Sequence, residues 1–216
     1  MSSDPLAFDP RPVILRDPTV CPHVAVVPLE REHAADLLAF GVDAESWRWM
    51  PRLALRDLQD AHGFVRAARA DAEDGSSVAF AIVVPASADG GSTGARERCV
   101  GTTRFLAIDR PHRRLEIGWT LLAPAVCATH VNPATKYLLL RHAFETLGAR
   151  RVEFKTDSEN LRSRRAIEKL GASFEGIFRK HRIRPDGTNR DTAWYAIVDD
   201  DWAGVRARLL ARLRGA

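Results

Sequence analysis

The stretch Leu115-Glu-Ile-Gly-Trp-Thr-Leu-Leu122, followed by Pro124, by Cys127-Ala-Thr-His-Val-Asn132, and by Pro133-Ala-Thr-Lys-Tyr-Leu-Leu-Leu-Arg-His-Ala-Phe-Glu-Thr-Leu147 with Gly148 behind it, decides the fold. Its first eight residues have the length and branching of a buried strand, and Pro124 stops it. Asn132 before Pro133 reads as a helix start: the Asn side chain accepts from free N–H groups and Pro fits the first helical position. Gly148 suits the position just past the helix end. Tyr137, Leu140, Phe144 and Leu147 recur at helical spacing and predict one broad buried face. Strand, short loop and helix N-terminus together form a candidate anion site, because the first N–H groups lack internal partners and the helix dipole adds positive potential. Lys136, in the first turn on this reading, adds a charge. The same unit also fits a plain structural turn.

The chain has 216 residues, 45% hydrophobic and 28% charged, which places it with globular rather than disordered chains. Its net charge of +4 is mild. The arginines at Arg162–Arg165 and Arg206–Arg214 look like solvated helix faces, so nucleic acid is not an expected partner; RNA or ribosome binding through the C-terminal arginines would show as affinity that falls steeply with salt. Cys21, Cys99 and Cys127 are odd in number and include no Cys-x-x-Cys, which points to neither a disulfide framework nor zinc. His130 and His142 lack a second ligand at metal spacing, so no metal is expected. No apolar run reaches the ~18–20 residues of a membrane span. The N-terminal Met-Ser-Ser-Asp-Pro-Leu-Ala-Phe has no signal-peptide pattern. A soluble, cytoplasmic protein is the expectation.

Residues 1–20, rich in Pro and Asp, read as an extended arm, and residues 21–216 as one mixed α/β domain. Strands are expected at His23–Leu29, Ser77–Val84, Cys99–Ile108, Arg113–Ala123, Arg151–Asp157, Ala172–Arg184 and Arg190–Val198. Helices are expected at Glu30–Phe40, within Leu53–Ala72, at Asn160–Leu170 and at Asp199–Arg214, the last acidic first and Arg-rich last, as its dipole prefers. Ala86–Arg98 reads as a polar hairpin loop, and Pro185–Asn189, with Asp-Gly inside it, as a tight turn.

This order, with a strand–loop–helix at its centre, resembles the GNAT N-acyltransferase superfamily. Asn160-x-x-Ser163 followed by Glu168-Lys-Leu-Gly171, and the aromatic Trp47-Arg-Trp49 after the first helix, resemble its Rim-type branch of ribosomal-protein N-terminal acetyltransferases. The resemblance covers residues 22–200. It implies a mixed sheet of six or seven strands, splayed after the fourth strand, with helices on both faces. It also implies acetyl-CoA as acyl donor, its pantetheine on the strand edge at Leu121 and Leu122 and its pyrophosphate on Thr129, His130, Val131, Asn132, Ala134 and Lys136. Where the family carries a glycine-rich pyrophosphate loop, this chain has Val126-Cys-Ala-Thr-His-Val131, without glycine. Either Asn132, Lys136 and Thr129 hold the phosphates differently, or the cofactor site is weakened.

Acyl transfer to an amine needs a neutral amine, a polarised thioester carbonyl and a proton for the thiolate. Glu116 is the candidate base; by strand alternation Glu116, Gly118 and Thr120 share a face, and partial burial raises a carboxyl pKa. The plainer reading pairs Glu116 with Arg104 or Arg114. Ser163 resembles the branch's proton donor to the CoA sulfur, and the position where many relatives carry Tyr is Ile167. Ser163 also fits an ordinary first-turn helix residue. Asn160 suits a helix cap or a pantetheine contact, and Arg164 the 3′-phosphate. Trp47, Trp49, Phe105 and Trp194 are candidates for the acceptor pocket. The acceptor is a peptide N-terminus or a small amine, and a homodimer stays open. The alternative is a non-catalytic CoA-binding or partner-binding module on the same fold.

Overall fold

The computed structural model describes residues 8–73, 75–85 and 97–215; most of the polar loop expected at Ala86–Arg98, and the start of the arm, lie outside them. The elements are β1 (Ala25–Pro28), a 3-10 turn (Arg31–His33), α1 (Ala34–Gly41), α2 (Ala44–Trp47), α3 (Leu58–Glu73), β2 (Val78–Val84), β3 (Arg98–Asp109), β4 (Arg114–Leu122), α4 (Val131–Arg141), β5 (Arg151–Asp157), α5 (Leu161–Leu170), β6 (Ser173–Ile183), β7 (Asn189–Val198) and α6 (Asp199–Arg214). The seven strands form one mixed sheet in the order β1-β2-β3-β4-β5-β7-β6. Every neighbouring pair is antiparallel except β4 with β5.

Alternation along the strands sends side chains into two cores. Phe80, Ile82, Phe105, Leu115, Ile117, Val152, Phe154 and Tyr195 pack on the back face with residues of α4, α5 and α6. Ala79, Ala81 and Val83 pack on the front face with Leu37, Phe64, Val65 and Ala68 of α1 and α3. The expectation of one buried face on α4 is corrected: Val131 and all of Pro133–Leu140 are buried. The reason is that α4 lies between the sheet, α6 and the N-terminal arm. The arm is part of that packing. Phe8 is fully buried, Leu15 exchanges backbone hydrogen bonds with Val26, and Asp17 accepts from the Tyr137 hydroxyl and from Arg141. Past Arg141 the helix widens into a π turn (His142–Thr146), and Gly148 follows with φ +67°, a conformation glycine adopts without strain. Gly171 ends α5 the same way, at φ +97°.

Two irregularities shape the centre. First, β4 and β5 pair only over Arg114–Glu116 with Arg151–Glu153, although β4 runs on to Leu122 and β5 to Asp157. The sheet opens beyond Glu116, the splay expected after the fourth strand. Second, β4 bulges: Thr102 faces Leu121 and Arg104 faces Gly118, so Trp119 and Thr120 together oppose Thr103. Trp119 has φ +50°, costly for a residue with a Cβ. The extra residue breaks the alternation. Glu116, Gly118 and Trp119 stay on the front, whereas Thr120 turns to the back, so the expectation that Thr120 shares a face with Glu116 does not hold. The outer strand β6 is irregular too, with register shifts at Gly176 and between Phe178 and Arg182, where Lys180 has φ +51°.

If the arm is integral to the back core, Phe8→Ala lowers stability by about 3 kcal/mol or more. Chemical denaturation measures it, and a loss under about 0.5 kcal/mol, the range of neutral surface changes, contradicts the packing described.

Candidate active site

Because β4 and β5 are parallel, their C-terminal ends lie at the same end of the sheet. The chain leaves β4 for α4 and β5 for α5, so two helix N-termini meet the opening between the strands. Open α/β sheets bind ligands at such a place, outside the carboxyl ends of the strands.

The start of α4 differs from the expected one. The helix begins at Val131 with His130 as cap residue, and the Ala134 N–H donates to the His130 carbonyl at 2.9 Å. Thr129 makes the earlier start: its Oγ1 accepts from the Val131 N–H at 3.2 Å and donates to the Val126 carbonyl at 2.8 Å. Pro133 becomes the third helical residue, where its missing N–H still costs no bond. Asn132 therefore does not cap; its Oδ1 is buried without a partner. With the Val131 N–H taken and Pro133 lacking one, the first turn offers an anion less than the sequence suggests. The glycine-less loop still makes a glycine-like turn, since Ala128 adopts φ +62°.

Lys136 falls in the second turn, not the first. It is 6% exposed, and its Nζ donates 2.8 Å to Thr120 Oγ1, which in turn meets Thr103 Oγ1 at 2.9 Å. Burial alone pushes its pKa down from 10.5 to about 7. Leu121 is buried on the front face and Leu122 packs against the back core, at the edge beyond the opening.

Glu116 stands at the point where β4 and β5 part. Its partner is Lys155, Nζ to Oε2 3.0 Å, and Lys155 also lies 3.1 Å from Glu153. The expected arginine partners are engaged elsewhere: Arg104 with Asp71 at 2.8 Å, Arg114 with Asp109 at 2.8 Å and Glu153 at 3.3 Å. Lys155 wins because Glu116 and Glu153 are paired across the parallel strands and it rises from β5 between them. Its ammonium also sits 3.8 Å from the ring centroid of Trp194.

On α5, Asn160 is the cap and accepts from the Ser163 N–H at 3.1 Å, which leaves Ser163 as a half-buried residue of the first turn. Arg164 turns inward: its Nε donates to the Tyr195 hydroxyl at 2.9 Å, its Nη1 to the Ser158 carbonyl at 3.3 Å, and its guanidinium covers Phe174.

The four candidate pocket aromatics do not come together. Phe105 is fully buried on the back face, against Phe80 and His142. Trp47 is 3% exposed, donates from Nε1 to the Gly41 carbonyl and stacks edge-on with Phe64. Trp49 is half-buried under Arg48. Trp194 is beside Glu116 through Lys155, in a front-face cluster with Phe178 (4.6 Å) and His181 (5.7 Å). Sequence reasoning missed Trp119, which faces the front next to Gly118 and covers the buried Arg104 at 4.4 Å. It also missed Lys155, His181 and Arg190 around Trp194. The period-two run Arg190-x-Thr-x-Trp194 was the available signal. Among the described residues no group of His, Cys, Asp and Glu is placed to hold a metal ion, and no helix is long and apolar enough to cross a membrane.

A family model described as an acetyltransferase (GNAT) domain matches residues 23–173, more than half of the chain. The N-acetyltransferase YoaA of Bacillus subtilis is 30% identical over 99 residues, covering 46% of this chain and 55% of that protein, so this chain spans about half the length of that relative. A GCN5-related N-acetyltransferase from Brucella melitensis, of known crystal structure, is 26% identical, with a TM-score of 0.82 over 95% of this chain and 87% of that one. RimJ of Mycobacterium smegmatis, solved with CoA-disulfide, shares the fold at 21% identity, with a TM-score of 0.74 over 95% and 96% of the two chains.

Lys136 gives the site a titration that stability can report. Unfolded, it takes its proton near 10.5; folded, near 7, so between those values the unfolded chain binds more protons and stability rises with pH. At about 1.4 kcal/mol per pKa unit, Lys136→Met is expected to add on the order of 4 kcal/mol at pH 6 and about half that at pH 9. Equal gains at both pH values contradict a buried, uncompensated ammonium.

Proposed function

The chain belongs to the GNAT acetyltransferase family, and from that premise we propose that it transfers acetyl from acetyl-CoA to a primary amine by direct attack in a ternary complex. The observation that carries this reading is the opening of the sheet beyond Glu116, with the first turns of α4 and α5 at its mouth. A thioester chain fits there: the β4 edge at Leu121 and Leu122 offers backbone groups to pantetheine amides. Thr129, His130, Val131, Asn132 and Ala134 surround the place for the pyrophosphate. Lys136, turned inward to Thr120, supports β4 rather than meeting phosphate.

In the reaction, the amine nitrogen attacks the thioester carbonyl carbon. Glu116, directly or through water, takes the amine proton, and Lys155 holds its carboxylate in place. Backbone N–H groups along β4 polarise the carbonyl oxygen. The C–S bond breaks, and the thiolate receives a proton from Ser163 as the hydroxyl takes another from solvent water; its place in the first turn of α5 puts it in the positive end of that helix. Asn160 orders this turn. Trp119 and Trp194 border the amine side. A peptide N-terminus and a small amine are the acceptor classes, and the resemblance to the Rim-type branch favours the peptide. We place the enzyme in the cytoplasm.

A second reading, a CoA-binding or partner-binding module without turnover, draws on the glycine-less loop and the occupied Val131 N–H. Turnover separates the two. Acetyl-CoA is expected to raise the melting temperature, and a pooled amine and peptide panel to release free CoA thiol. Glu116→Gln is expected to lower kcat about 10²–10⁴-fold, the range of general-base catalysis, and Ser163→Ala to lower kcat more than it weakens CoA binding. No thermal shift with any short acyl-CoA rejects the enzyme reading; binding without thiol release across the panel selects the second.

A further inference from the structure

The front face of β5, β7 and β6 beside Glu116 has a charge balance that the proposed reaction does not use. Arg190, Thr192 and Trp194 share this face of β7, with Asp157 and Lys155 of β5 opposite Thr192 and Trp194. Two of the nearby cations are well matched. Lys155 sits between Glu116 and Glu153. Arg184 grips Asp157 through two bonds of 2.8 and 3.1 Å and adds Glu159 at 2.9 Å. That engagement leaves Arg190 only a 4.0 Å approach to Asp157.

Arg190 is 14% exposed, and its Nε is buried with no hydrogen-bond partner. Its cross-strand neighbour on β6 is Arg182, a like charge directly opposite. Burial and Arg182 hold the Arg190 guanidinium below its ordinary range against the pull of Asp157 and Glu116. His181, hydrogen-bonded to Thr192 at 3.0 Å, is pushed down by burial and then by Arg182, Lys155 and Arg190. Arg182 acts on both groups, after burial as the larger cause. A buried guanidinium with an idle donor beside a second arginine is stabilised by an anion, above all a planar one that takes two N–H groups. Between Arg190 and Glu116 lie Trp194 and Phe178, stacked and, for Phe178, 52% exposed.

We propose that the amine acceptor carries a carboxylate, bound by Arg190, with its intervening chain lying across Trp194 and Phe178. This rests on the acetyltransferase reading and narrows its acceptor. The Arg190 backbone lies four residues of extended strand, roughly 13 Å, from Trp194, and its side chain reaches back towards Asp157, opposite Thr192, so a short spacer separates the acid from the amine. The acid is a Glu or Asp one or two residues along a peptide, or the far end of a small amino acid with a short spacer.

Matched acceptors test this: tripeptides with Glu or Gln at the second or third residue, and ω-amino acids of increasing length with their amides. The wild type is expected to favour the acid member of the matching pair by about tenfold or more in kcat/KM, mostly through KM, as for a charge-assisted hydrogen bond. In Arg190→Gln the ratio falls towards one; in Arg190→Lys part of it survives. Because the ratio is taken within each variant, a poorer fold lowers both members alike. Preference among peptides or among small acids identifies the source. An acid-to-amide ratio near one in the wild type, or one unchanged in Arg190→Gln, overturns the proposal. If no amine is acetylated, the acetyltransferase reading fails, and binding still decides this one. N-acetylated Glu and Gln tripeptides, added with CoA, are expected to raise the melting temperature of the wild type differently and of Arg190→Gln equally. Equal shifts in both proteins overturn it.

Discussion

The structure depends on two parallel strands that pair for three residues and then part. Neighbouring strands normally pair along their length because an unmatched backbone N–H or C=O is costly when buried. Here β4 and β5 stop pairing at Glu116 and Glu153, and the groups beyond are left to water or a ligand. The bulge at Trp119 serves the same end. By inserting one residue it turns Thr120 towards α4 and leaves Glu116, Gly118 and Trp119 on the opposite face, so β4 is braced from behind by Lys136 and presents Glu116 and Trp119 in front. The brace is a lysine, which is unusual because no carboxylate among the described residues offsets its burial.

The site is assembled from long-range charge pairing. Glu116, Lys155 and Glu153 lie on two strands separated by a helix, and Trp194 reaches them from a third. Such a cluster orients a carboxylate by geometry: the ammonium between two acids, capped by an indole face, has few alternative positions. The arginines nearby satisfy other acids, so the pattern of charge around Glu116 is set by which partner each arginine already has.

Much of this architecture was legible in the residues. The strands show period-two or continuous apolar patterns, and Gly148 and Gly171 mark helix ends with the positive φ that glycine tolerates. The splay after the fourth strand came from resemblance, and the pairing confirms it. What escaped notice has identifiable causes. Nothing in a tryptophan announces a left-handed backbone, so the bulge and the reversal of Thr120 were hidden. Asn132-Pro133 is a strong helix-start signature, yet a threonine three residues earlier captured the first N–H. The plainer reading of Glu116 pairs it with Arg104 or Arg114, but pairing across strands brings Lys155 instead. Phe105 and Trp47 are aromatic for packing, and only burial separates them from Trp194.

The irregular outer strand has a consequence for how these molecules behave when crowded together. A sheet margin with open donors and acceptors invites a neighbour to add its own strand, the route to fibrous association. On β6 the kinks at Gly176 and Lys180 interrupt that ladder, and Arg179, Lys180 and Arg182 line the same stretch with like charge. Apolar Phe178 and Ile183 can therefore stay uncovered there without templating the growth of an aggregate.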